Sequence, residues 1–366
     1  MKAGRTKVLF VFDGDLNVID NGAASTIKNL IHHAPDHMDV YITSSREYDG
    51  FQDYVSVIKI CETKQESLPV RILTSNTFRR NKMNHQIADC IQSFQSEEDA
   101  VIVFTAETNH RYCKYVKNKE KLFFYLGDLA SAAFQIHTET TSGFLRKLFY
   151  WKEKIVSGLY EKNFPRRYKA VFLVNKNEAE YANAKYKTNR YRAIFAGFEP
   201  AERIDIAEHD HINLVFIGNM GFKPNKDGLD YFYQTVFKKL DNRYRLHLIG
   251  SGSDSIYKDD NRVTGHGFVN DFNDVLQYCD YGLCYMVNGG GLKNKILDYM
   301  KYGIPCIVNS YVKENTAPVH SKYLLTADTY EEFLTKTHQE YSREDVIESI
   351  KRYKMSNVAK LFWNYL

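Results

Sequence analysis

The chain has 366 residues, more than one hydrophobic core usually serves, so two domains are predicted. Hydrophobic residues make up 44% and charged residues 26%, a globular composition that excludes a disordered chain. The net charge of +4 is too slight to argue for nucleic acid, and no zinc-finger spacing or RNP-like strand supports such a partner. Six cysteines lie far apart or inside apolar runs with no CxxC pair, which reads as reduced thiols in a cytoplasmic protein. The first apolar run is too short for a signal peptide, and no segment approaches the roughly 20 apolar residues of a membrane helix.

In chain order, KVLFVFD predicts a buried first strand, followed by a glycine-containing loop and the helix STIKNLIHHA. MDVYIT, VSVIKI, VRIL, AVIVF, KLFFYL, AVFLV and YRAIF predict further strands, with helices at NHQIADCIQSF and LRKLFYWKEKIVSGLYEKN between them. This alternation argues a parallel sheet covered on both faces. The polar segment 198–211 reads as a linker, after which the pattern restarts. NLVFIG, YRLHLIG, NRVTG, YGLCYM and IPCIV predict strands, and KDGLDYFYQTVFKKL, NDFNDVLQYC and KNKILDYMKY predict helices. The stretch from Thr329 onward shows no strand pattern. The expected architecture is α/β, with two Rossmann-like doubly wound domains at 1–197 and 212–340. Helices in 341–366 are expected to cross back to the first domain. Ligands of such sheets sit at the carboxyl ends of the strands, which makes a cleft between the domains the default site.

Four features of the second half follow predicted strands: Gly218-Asn219-Met220-Gly221, Gly250-Ser251-Gly252, Gly265-His266-Gly267, and Gly289-Gly290-Gly291 before a lysine-bearing helix. Small residues let the backbone approach a ligand, and helix starts offer free N–H groups to phosphate. Singly, each also reads as an ordinary strand-to-helix turn.

These stretches together resemble the donor-binding half of retaining GT-B glycosyltransferases of family four. The resemblance rests on GNMGFKPNKDGLDYF, LHLIGSG, GHGFVNDFNDVLQYCDYGLCYM and GGGLKNKILDYMKYGIPCIVNS. In the first half, NGAAS, VFLVNKNEAEY and IFAGFEP resemble the family more loosely. The resemblance implies that the first domain binds the acceptor and the second binds a nucleotide sugar. It implies that Gly22 faces the sugar diphosphate and that Lys226 contacts the diphosphate. Asn219 stands where many members carry arginine. Gly291, Leu292 and Lys293 would offer backbone N–H groups, with Asn294 following and Lys295 near the phosphates. Asp298 would accept from the ribose hydroxyls, as charge-assisted bonds of this kind do. Two positions depart from the pattern: Gly290 replaces the family's first glutamate, and Asp298 shortens the second. Gly218 and Gly250 are read as close-approach positions.

Asp128 follows a strand and reads either as an acceptor-facing catalytic group or as a plain Asx turn or helix cap. His110 and His266 read either as polar contacts to sugar or as histidines satisfying local hydrogen bonds. The resemblance implies a metal-independent reaction, so no metal and no cofactor are expected. The basic segment 143–163 reads either as a helix for an anionic membrane surface or as a helix packed on the first sheet. The implied activity is transfer of a sugar from a nucleotide-diphosphate sugar to a hydroxyl of a glycan or lipid-linked acceptor. Surface polysaccharide synthesis at the inner face of a bacterial membrane is the expected setting. A GT-B-fold nucleotide-sugar epimerase and a non-catalytic nucleotide-sugar-binding or partner subunit are the alternatives.

Overall fold

The computed structural model describes residues 5–17, 22–51, 55–67, 76–96, 100–195, 197–287, 293–315 and 319–366. The chain forms two compact units: Met1–Phe195 with Met355–Leu366, and Ala196–Lys354.

The first unit holds a seven-stranded sheet in the order β3-β2-β1-β4-β5-β6-β7. Its strands are β1 (Thr6–Val11), β2 (Met38–Ser44), β3 (Val55–Lys59), β4 (Val101–Thr105), β5 (Leu122–Gly127), β6 (Ala170–Leu173) and β7 (Tyr191–Ala193). Every pairing is parallel. All five residues of β4 are buried, as a strand covered on both faces requires. The helices are α1 (Gly22–His32), α2 (His85–Phe94), α3 (Ala130–Thr140), α4 (Phe144–Asn163), α5 (Lys176–Tyr186) and, from the C-terminus, α12 (Met355–Trp363). Phe362 and Trp363 of α12 pack on Phe10 of β1, and the Trp363 indole donates to the Leu30 carbonyl.

The second unit holds a six-stranded parallel sheet, order β10-β9-β8-β11-β12-β13. Its strands are β8 (Ile212–Ile217), β9 (Tyr244–Ile249), β10 (Val263–Gly265), β11 (Tyr281–Cys284), β12 (Cys306–Val308) and β13 (Leu324–Thr326). Its helices are α6 (Lys223–Thr235), α7 (Asn273–Leu276), α8 (Lys295–Met300), α9 (Ser310–Asn315), α10 (Tyr330–Thr337) and α11 (Arg343–Ser349).

Three expectations need correction. The segment 341–366 divides: α11 stays with the second unit and only Met355 onward joins the first. Arg343 holds α11 there by donating to the Cys279 and Tyr302 carbonyls, while Val346 and Ile350 are buried. The polar stretch 198–211 is not a free linker. Asp205 exchanges hydrogen bonds with Asn273, Ala207 N–H donates to the Gln277 carbonyl, and Phe198 N–H donates to the Tyr353 carbonyl. Helix NDFNDVLQYC shrinks to the four residues of α7. Elements that escaped the sequence reading include β13, only three residues long, α3, whose ASAAFQIHTET carries no clear apolar stripe, and the helices α5 and α9. The expected strand at Val70–Leu73 lies outside the described residues.

Helix α4 is turned opposite to a globular helix. The residues it buries are Glu153, Ser157 and Glu161. Glu161 accepts from the Ser131 N–H at 2.9 Å and from the Ser131 and Tyr186 hydroxyls, so a carboxylate from α4 caps the start of α3. Glu153 accepts from the Thr77 N–H. Among the described residues no helix is long and apolar enough to cross a membrane.

Candidate functional site

In the second sheet the chain goes from β8 to β9 on one side and later returns to β8's other side with β11. The strand order therefore reverses between β8 and β11, the place where doubly wound sheets open a crevice. The ends of both strands are fixed by Tyr299 of α8. Its hydroxyl accepts from the Ile217 N–H at 2.8 Å and lies 3.0 Å from the Leu283 carbonyl, to which it donates. This one buried side chain sets the height of α8 against both strands.

The turn after β8 is held by the turn after β9. Gly218 N–H donates to the Ile249 carbonyl and Met220 N–H to the Ser251 carbonyl. Gly250 has φ +125°, and a Cβ there would sit 2.2 Å from the Gly218 oxygen. Only glycine satisfies both the backbone angle and the contact. At Gly218 an added Cβ would lie 2.8 Å from Asn225 Nδ2 and 3.2 Å from Lys295 Nζ. The missing side chain is thus what admits the lysine to the strand end.

Lys295 Nζ donates to Asn225 Oδ1 at 2.9 Å, and Asn225 Nδ2 donates to the Asn219 carbonyl at 3.1 Å. The ammonium also lies 4.1 Å from the centre of the Phe216 ring. Burial lowers the Lys295 pKa, and the neighbouring Lys293 lowers it further. A cation whose hydrogen-bond partner is an amide, at a strand-end crevice, is suited to an anion.

The other expected donor residues fall as follows. Asn219 Oδ1 accepts from the Gly221 N–H, a local Asx turn. Lys226 is exposed and pairs with Asp230 one turn along α6 at 2.7 Å. The α6 residue that meets Lys295 is Asn225, which the sequence reading placed in the helix start without a role. Its signal was the Pro-Asn pair opening a helix directly after the Gly218 turn. Asp298 lies one turn after Lys295 on α8 and pairs with Lys301 at 3.2 Å. Lys293 is half-buried and Asn294 is exposed just before α8. Gly290, Gly291 and Leu292 lie outside the described residues.

His266 follows β10, and its Nε2 lies 3.0 Å from His247 Nδ1, with the two rings stacked. Burial lowers the His247 pKa to about 4, with His266 adding to it; burial also lowers that of His266. His247 is therefore neutral near pH 7. The two histidines line a cavity of about 500 Å³ with Phe268, Asn270, Asp274 and Tyr278.

In the first unit the order reverses between β1 and β4. Asp13, just after β1, accepts from Asn81, Thr108 and Asn109 there. The sequence reading gave Asp13 no role. Gly22 opens α1. Asp128 is exposed between Gly127, which has φ +85°, and α3. Beside it Glu178 accepts from the Leu129 N–H, and its pKa rises to about 7 through burial first and the Asp128 and Glu161 charges second.

His110 is a correction. Its ring is 8% exposed and packs against Phe78, Phe124, Tyr160, Phe164 and Tyr168. Its Nδ1 lies 2.6 Å from the Tyr168 hydroxyl, and burial, then Arg167, lowers its pKa to about 3. The neutral imidazole fills an aromatic core, a placement for packing and not for proton transfer to a substrate. Among the described residues no group of three His, Cys, Asp or Glu is placed to hold a metal ion.

Residues 211–341 match the family model of glycosyl transferases group 1. No curated protein matches the chain at a significant level. Among solved structures, the apo form of the lipopolysaccharide outer core galactosyltransferase WaaB is 14% identical, with 98% of each chain covered and a TM-score of 0.60. Anabaena HepE in complex with UDP and glucose is 11% identical over 98% of each chain, with a TM-score of 0.60. A mutant of S. aureus TarM in complex with Fondaparinux, alpha-GlcNAc-glycerol and UDP is 9% identical over 98% of this chain and 99% of that one, with a TM-score of 0.63. At such identities the likeness shows the fold, the two-sheet α/β arrangement of GT-B glycosyltransferases.

Proposed function

We propose that the protein is a retaining glycosyltransferase that moves a sugar from a nucleoside-diphosphate donor to a hydroxyl of a glycan or lipid-linked acceptor in surface polysaccharide synthesis. The observation that carries this reading is Lys295, held by Asn225 against the side-chain-free Gly218 at the β8/β11 reversal. A diphosphate placed there would meet a cation, the amide of Asn225 and the backbone of the β8 turn. These groups stabilise negative charge as it develops on the leaving diphosphate, with no reorganisation needed at that moment. The acceptor oxygen attacks the anomeric carbon on the face the diphosphate leaves. The acceptor's proton passes to the departing phosphate oxygen as the glycosidic bond to phosphate breaks.

Asp298, on the same face of α8 as Lys295, is assigned to the ribose hydroxyls; it would exchange its Lys301 partner for them. The His266 cavity, with the rings of Phe268 and Tyr278 and the polar groups of Asn270 and Asp274 in its lining, suits a planar base with hydrogen-bonding edges. The reaction is proposed as metal-independent, with Lys295 supplying positive charge. Asp13 and Asp128, at strand ends of the first unit, are assigned to the acceptor side. HepE was solved with UDP, which makes UDP the first nucleotide to test. WaaB's description as a lipopolysaccharide outer core galactosyltransferase supports the surface-glycan setting.

The test is a thermal-shift screen of UDP, GDP, ADP and CMP, followed by incubation with the matching nucleotide sugars. Saturable binding of one nucleoside diphosphate, with release of that diphosphate on transfer or slow hydrolysis, is expected. Interconversion of nucleotide sugars without release would replace the transferase reading with an epimerase.

A further inference from the structure

We infer that helix α4 is a docking face for an anionic lipid bilayer. Phe144, Leu148, Trp151, Ile155 and Leu159 recur at i, i+4, i+7, i+11 and i+15, one stripe of a helix. That stripe is exposed: Phe144 is 79%, Trp151 51% and Leu159 57% accessible. Leu145 and Phe149 widen it, at 78% and 42%. Large apolar side chains grouped in this way on an exposed surface mark an interaction face.

The opposite side of the helix explains why the stripe points outward. Glu153, Ser157 and Glu161 are the residues buried, and the two carboxylates are held by Thr77, Ser131 and Tyr186. Rolling the helix to bury its apolar stripe would expel those carboxylates from their hydrogen bonds and leave the start of α3 uncapped. The orientation is therefore fixed by polar contacts, and the apolar stripe remains for something outside the unit.

Charge identifies the occupant. The helix carries five bases, Arg146, Lys147, Lys152, Lys154 and Lys162, and its only acids are the two buried glutamates. The Thr77–Glu153 bond and the Phe78–Tyr160 stacking at 4.9 Å bring the exposed Arg79 and Arg80 beside it. An apolar stripe flanked by positive charge, with no accessible carboxylate on the helix, complements anionic headgroups over acyl chains. A second copy of the same face would set these bases against one another.

The test uses the full chain with vesicles of phosphatidylcholine, with and without phosphatidylglycerol. Of the two tryptophans, Trp363 is buried and Trp151 is exposed, so fluorescence reports the helix. A blue shift and co-sedimentation with phosphatidylglycerol vesicles, weakened by salt and by omitting the anionic lipid, are expected. The variant Leu145→Gln/Leu148→Gln/Leu159→Gln is expected to lower partitioning about a hundredfold or more while its melting temperature and nucleotide binding stay unchanged. No vesicle binding, or binding that the variant leaves intact, overturns the inference. So does a dimer in solution that the same variant dissociates, which would make the occupant a second copy.

Discussion

Lys295 of α8 and Asn225 of α6 meet at 2.9 Å across the ends of β8 and β11. Seventy positions separate them in the chain. Their meeting depends on Gly218, because any side chain there would enter the space of both. The contact joins two helix starts at one strand-end crevice.

Removing either partner tests that place. Lys295→Ala is expected to weaken nucleoside-diphosphate binding by about 10- to 100-fold, the worth of a charge-assisted contact. Asn225→Ala should weaken it less, because the cation remains but is no longer positioned. Titration calorimetry at matched pH measures both, and unchanged melting temperatures are expected. Unaltered affinity in Lys295→Ala would remove the lysine from the site.

Gly250→Ala should act through the fold. The new Cβ meets the Gly218 oxygen and the backbone angle is unfavourable, so a loss of roughly 2 kcal/mol or more is expected. Urea denaturation measures it, and nucleotide affinity should fall with it because the β8 turn must shift.

His110→Ala separates packing from catalysis. Emptying an aromatic cage and leaving the Tyr168 hydroxyl without its partner should cost about 2–4 kcal/mol. Turnover per folded molecule, measured well below the melting temperature, should stay within a few-fold of the parent. A loss of turnover with full stability would return His110 to the chemistry.

Glu178 makes the first unit sensitive to pH. Its folded pKa is about 7 against an ordinary 4.5, so the folded state holds the proton more tightly. Its contribution is therefore fully present below pH 4.5 and is lost as pH rises through about 7. Glu178→Gln keeps an acceptor for the Leu129 N–H and should flatten that part of the stability profile, measured by denaturation at a series of pH values. His247 acts in the opposite sense. Its pKa falls to about 4 from 6.5, so its stabilising effect is present above pH 6.5 and is lost as pH falls through 4.

Chelation tests the proposed absence of a metal role. Transfer by protein treated with EDTA and desalted is expected to match the untreated rate. A loss restored by one divalent ion would reject the metal-independent scheme.

Much of the strand content was readable because the central strands are short runs of apolar, largely β-branched or aromatic residues, such as VLFV of β1 and LVFI of β8, bounded by polar turns. The three residues of β13 fall below the length at which such a run stands out. The periodicity of α4 was readable too, but it suited a helix on a membrane surface and a helix packed on the first sheet equally. Which face the chain would bury was settled by Ser131, Thr77 and Tyr186, residues remote in sequence that hold Glu161 and Glu153. His110 shows the same limit: a histidine after a strand looks identical whether it meets solvent or an aromatic cage.

By itself the sequence determined the two α/β units and singled out the glycines and lysine of the second one. Strand periodicity and turn chemistry are local properties of the chain. Only the tertiary structure decided that Asn225, not Lys226, joins Lys295, that His110 is buried, and that α4 turns its apolar stripe outward. Each of those outcomes depends on which distant groups satisfy a buried charge or hydrogen bond, and no local pattern encodes that pairing.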